Sequence, residues 1–101
     1  MLALSCKNIE KLVNRNVALT MRALQNGAYR LADCPKFPDV IIALLRGYTE
    51  SQVSEEGVLS VLNHLNRKGV MTFDFKERVK CLEAYSELKD KLSRKIIFAL
   101  R

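Results

Sequence analysis

Val53-Ser54-Glu55-Glu56-Gly57-Val58-Leu59-Ser60-Val61-Leu62-Asn63-His64-Leu65-Asn66-Arg67-Lys68-Gly69 reads as an apolar residue, a capping serine, an amphipathic helix and a glycine stop. The Ser54 hydroxyl can accept from the free amides of the first turn. Glu55 and Glu56 stand where the helix dipole favours acids, and Gly69 stands where a left-handed residue closes a helix. The same outline runs through residues 12–27 and begins again at residues 92–101. The matching apolar positions are Val17, Val58 and Ile96, so the steps are 41 and 38 residues. A period of that size is the mark of stacked supersecondary units.

The segments between these copies also correspond. Phe37 matches Phe75, Ile41 matches Val79 and Leu44 matches Leu82, with Tyr48 and Tyr85 in step to within one residue. The repeating unit is therefore a helical hairpin. A hairpin with one apolar face buries it only against a neighbour. The expected fold is all-α, a short solenoid of right-handed type with two and a half hairpin repeats. Its units cover about residues 5–48, 53–88 and, in part, 92–101, in a single domain.

Within the first unit, residues 5–26 read as one long helix, capped by Ser5 and stopped by Gly27. Residues 29–38 read as a connector, because Pro35 and Pro38 both disfavour helix in the residue before them. A second helix over residues 39–46 ends at Gly47, and residues 49–52 link it to the Ser54 cap. Residues 70–75 are ambiguous between a short strand and a helix start at Thr72 or Asp74. From Phe75 the apolar spacing is helical through Leu88, and residues 92–101 read as either helix or strand.

Hydrophobic residues make up 49% of the 101, enough for a modest core and too many for a disordered chain. Seventeen basic and eleven acidic residues give a net charge of +6, which favours anionic partners such as RNA, DNA or an anionic membrane surface. Each half of the chain carries +3, so no basic tail dominates. Cys6, Cys34 and Cys81 are odd in number and widely spaced, and His64 alone does not complete a zinc cluster with them. Reduced, structurally indifferent thiols suit the cytosol or the mitochondrial matrix. The longest apolar run, residues 40–45, is too short to span a bilayer. Lys7, Lys11, Arg15, Arg22 and Arg30 among few acids faintly suggest a mitochondrial presequence, which helix amphipathicity explains equally well.

The outline of residues 53–69, apolar–Ser–x–x–x–Val–x–x–x–Leu–x–x–Leu–x–x–x–Gly, resembles the helical repeats of organellar RNA-binding proteins: the FAST-kinase-like, RAP-domain and octotricopeptide families. Arg22 and Asn63 lie near the place where such repeats often carry a tryptophan. The resemblance implies a protein that binds mitochondrial or plastid RNA, often ribosomal RNA. Arg15 and Arg22 are seven residues apart on one helix face; the apolar alignment places Arg22, Asn63 and Arg101 at one position, and Arg94 opposite Arg15. All can hydrogen-bond phosphate or base edges, and Arg67 and Lys68 extend the basic end of the second unit. The expected RNA-binding set is thus Arg15, Arg22, Asn63, Arg67, Lys68, Arg94 and Arg101. Lys76, Arg78 and Lys80 read as surface charge.

No P-loop, GxGxxG, GxSxG or HExxH is present, and His64 has no catalytic partner at a telling spacing. No enzyme activity, cofactor, metal or small-molecule substrate is expected. The leading expectation is RNA binding within an organellar ribonucleoprotein such as a mitochondrial ribosome, with RNA and neighbouring subunits as partners. One alternative is a structural subunit of a mitochondrial complex, using apolar ends to stack on partner helices. The other is a winged-helix DNA-binding domain, with residues 55–68 as recognition helix and residues 71–75 paired with 96–100 as the wing.

Overall fold

The computed structural model describes residues 15–25 and 37–101. Six helices are formed there, α1 (Val17–Gln25), α2 (Phe37–Thr49), α3 (Glu55–Arg67), α4 (Phe73–Cys81), α5 (Glu83–Leu88) and α6 (Arg94–Ala99), with a 3-10 turn at Lys89–Lys91 before α6. No strand occurs among the described residues. Both segments required for a wing are drawn into helices instead, α4 and α6, so the winged-helix arrangement is absent from the described residues. The expected Ser5 cap, Gly27 stop, Tyr29 and Pro35, together with Cys6 and Cys34, lie outside the described residues.

Local side chains start four of these helices. Ser54 Oγ accepts from the Gly57 amide at 3.0 Å, Thr72 Oγ1 from Phe75 at 3.2 Å and Ser93 Oγ from Ile96 at 3.3 Å. Asn16 Oδ1 accepts from Leu19 at 3.1 Å, so α1 begins at Val17 and residues 5–26 are not one continuous helix. The short polar side chain of Asn16 competes with the backbone and favours a cap over a helix interior. Counted from the three caps Asn16, Ser54 and Ser93, the steps are 38 and 39 residues, more even than the 41 and 38 of the apolar alignment. Val17, Val58 and Ile96 are all buried, yet they fall one, four and three residues after their caps.

The core forms around α2. Phe37, Val40, Ile41, Ile42, Leu44 and Leu45 are all at most 5% exposed, so this helix is apolar on nearly every side. Such a helix has to be surrounded, and α2 contacts α1, α3, α4 and α5. In addition α1 packs on α3, and α3 on α6. The Phe37 and Phe75 rings meet with centroids 6.0 Å apart at 44°, joining the two aromatic positions that the sequence pairs. Tyr48 and Tyr85 pack partly buried against the core. The Cα radius of gyration is 12.3 Å, close to the ~13 Å of a compact chain of about 100 residues.

Two local expectations change. Gly47 does not end α2, which continues to Thr49. A Cβ there would stand 3.1 Å from both Cγ atoms of Val17, so the glycine is a point of close approach between α1 and α2. Val17 is β-branched and stiff, which leaves little room to yield. The helical stretch from Phe75 to Leu88 is broken at Leu82, whose φ of −71° and ψ of 137° are extended. Gly69, by contrast, is the expected stop of α3, at φ 77°, with the Val70 amide donating to the Leu65 carbonyl at 3.0 Å.

The end of α2 uses the same closure on a serine. Ser51 has φ 62°, its amide donates to the Tyr48 carbonyl at 3.1 Å, and the Gln52 amide donates to the Gly47 carbonyl at 2.8 Å. A side chain in this left-handed region costs about 1–2 kcal/mol, partly offset because glycine is looser in the unfolded chain. Ser51→Gly is therefore expected to stabilise the fold by about 0.5–1 kcal/mol. Thermal melts would show this as a rise of a few degrees; an unchanged or lower midpoint would mean that the turn is not held in this geometry.

Candidate nucleic-acid interface

One face of α3 carries Leu59, Leu62, Asn63 and Asn66, spaced i, i+3, i+4 and i+7. Residues at this spacing lie along one side of a helix. The short helix α6 turns Lys95, Phe98 and Ala99 toward the same space, and Lys76 of α4 and Arg101 complete it. The result is an open groove of about 430 Å3. Its floor is apolar, from Leu59, Leu62 and Ala99, while three cations and two carboxamides line it and no Asp or Glu side chain does.

Burial of Ile96 and Leu100, both 0% exposed, fixes the α6 wall. With those two side chains in the core, Lys95 and Phe98 are left on the outer side of the helix. Phe98 is 74% exposed; Phe73, at the start of α4 and outside the groove, is 77% exposed. Lys76 Nζ donates to the Arg101 carbonyl at 3.0 Å and so ties α4 to the end of α6. The first turn of α6 contains Arg94 and Lys95 and no acid. The helix dipole disfavours cations there, so these charges stand against local electrostatics. In α3 the order is the ordinary one, with Glu55 and Glu56 first and Arg67 last.

The expected RNA-binding residues are all exposed, but the groove gathers only Asn63 and Arg101. Arg15 precedes the Asn16 cap and does not share α1 with Arg22. Arg22, Asn63 and Arg101 stand six, nine and eight residues after their caps, so they do not occupy one equivalent helical position. Arg67 and Lys68 lie at the C-terminal end of α3, where the dipole accounts for cations without a ligand. Arg94 lies on α6 outside the groove lining.

Asn66, Lys76, Lys95 and Phe98 are groove residues that the sequence reading passes over. Asn66 is three residues beyond Asn63, and that spacing alone marks it. Lys76 reads as surface charge, yet it faces the groove, while its neighbour Lys80 pairs with Glu77 at 2.9 Å. His64 is half-buried on α3, and Cys81 is exposed as a free thiol. Among the described residues no three His, Cys, Asp or Glu side chains converge, and no helix is long and apolar enough to cross a membrane. Comparison with protein-family models, with curated proteins and with solved structures finds no match.

Proposed function

We propose that this chain is a non-enzymatic helical-repeat protein that binds RNA within a ribonucleoprotein, through the groove between α3 and α6. The observation that carries the reading is the groove's lining: Lys76, Lys95 and Arg101 with Asn63 and Asn66, and no Asp or Glu side chain. Cations in such an array neutralise phosphates and release counterions. Carboxamides hydrogen-bond base edges on unpaired RNA.

On this reading the fold is a short solenoid of right-handed type. The first helices of successive units, α1, α3 and α6, pack in series, the second helices α2 and α4–α5 pack on each other, and the caps recur at 38 and 39 residues. Stacked hairpins have end faces that neighbours cover, which suits a place among other subunits. The organellar setting, with a mitochondrial ribosome as one instance, rests on the resemblance of residues 53–69 to organellar RNA-binding repeats.

Titration of the full chain with unstructured RNA at 50 and 200 mM salt tests the binding. Three phosphate contacts on a single strand give a log–log slope near −2, or about a 20-fold loss across that range. Absence of binding at 50 mM, or affinity indifferent to salt, would overturn the reading. Purification from cells with a protein assembly and no RNA would favour the structural subunit instead.

A further inference from the structure

Phe98 has no packing reason to be where it is. It is 74% exposed on the outer side of a helix whose inner side is already filled by Ile96 and Leu100. Lys95 lies one turn before it on the same face, and Asn63 and Asn66 line the opposite side of the groove. An aromatic face in water, beside cations and opposite carboxamides, matches the three parts of a nucleotide: a base to stack, a phosphate to neutralise and base edges to hydrogen-bond. In a duplex the base faces are covered by their neighbours, so only an unpaired base can use the ring.

We infer that the groove takes an unpaired nucleotide, its base stacked on Phe98 between α3 and α6 and its flanking phosphates held by Lys76, Lys95 and Arg101. This rests on the RNA-binding reading above and adds to it a discrimination of single strands from duplex. Phe98 supplies the stacking face, and Asn63 and Asn66 reach the base edge. The cations serve both forms of RNA, whereas the ring serves only the unpaired one.

The test is fluorescence anisotropy with an unstructured single-stranded RNA and a duplex of equal length, at low salt. The wild-type chain is compared with Phe98→Leu, which keeps apolar bulk without the π-face, and with Phe98→Tyr, which keeps both. Because Phe98 is exposed, all three fold alike, and melting curves check this. The expected result is tighter binding of the single strand by wild type and a loss of about 5- to 150-fold for Phe98→Leu on that strand alone. Duplex affinity and salt slope stay as in wild type, and Phe98→Tyr binds as wild type. If wild type prefers the single strand no more than the duplex, or if Phe98→Leu weakens both equally or neither, the stacking proposal falls while RNA binding stands. If wild type binds neither RNA, both fall together.

Discussion

Replacing Phe37 with alanine is expected to remove about 3–5 kcal/mol of stability. The side chain is 2% exposed at the start of α2, in contact with the Phe75 ring of α4. A chain of about 100 residues has roughly 5–15 kcal/mol in total, so one substitution takes about a fifth or more of it. The melting temperature should fall by roughly 15–30 °C, since each kcal/mol is worth about 4–8 °C at this size. Phe37→Leu keeps most of the apolar volume and should cost under about 1.5 kcal/mol. Phe75 is half-buried, so Phe75→Ala costs less than Phe37→Ala. The double mutant should show a coupling of about 0.5–1.5 kcal/mol beyond additivity. A Phe37→Ala melt within a few degrees of wild type would contradict the α2–α4 packing, and an additive double mutant would contradict the ring contact.

The sequence aligns Phe37 with Phe75 as matching positions, and the structure brings the two rings together. The helix α3 was legible in the sequence because cap, first-turn acids, apolar stripe and glycine all agree at residues 53–69. Elsewhere a single local cue had two physical meanings. Gly47 reads as a stop, but a glycine also lets two helices approach, and here Val17 occupies the space a side chain would need. The true end of α2 is on Ser51, which carries no turn signature of its own and is held left-handed by the hydrogen bonds around it. The break at Leu82 has neither proline nor glycine to announce it; α4 and α5 both contact α2, and tertiary packing outweighs helix propensity there.

The candidate site was less legible than the fold, since its parts come from three elements. Asn63 and Asn66 share a helix face and could be read together. Lys95 joins them because α6 folds over α3, a consequence of burying Ile96 and Leu100, and Lys76 reaches the groove from α4. Aligning arginines by apolar register found charge that is exposed but dispersed. The even cap spacing shows the cause: the apolar positions drift by up to three residues relative to the helix starts, enough to turn a side chain to another face.

Removing the three groove cations together separates this arrangement from mere net charge. Lys76→Ala, Lys95→Ala and Arg101→Ala in one chain should weaken single-stranded RNA binding by roughly 10²–10³-fold at low salt, because charge-assisted hydrogen bonds to phosphate are the strongest the groove can make. The log–log salt slope should fall by about 2 units, about 0.7 for each phosphate no longer neutralised. The chain should still fold, since Lys95 and Arg101 are exposed and the hydrogen bond from Lys76 to the Arg101 carbonyl is at the surface. The control is Arg22→Ala, Arg67→Ala and Arg94→Ala together, which also takes the net charge from +6 to +3 but touches no groove residue. If binding depends on the groove, this second triple retains wild-type affinity to within about 5-fold, the share left to the long-range field of the whole protein. Equal losses in the two triples would mean that RNA feels only the total charge and that no particular surface reads it. A larger loss in the control would move the interface to the dispersed arginines of α1, α3 and α6.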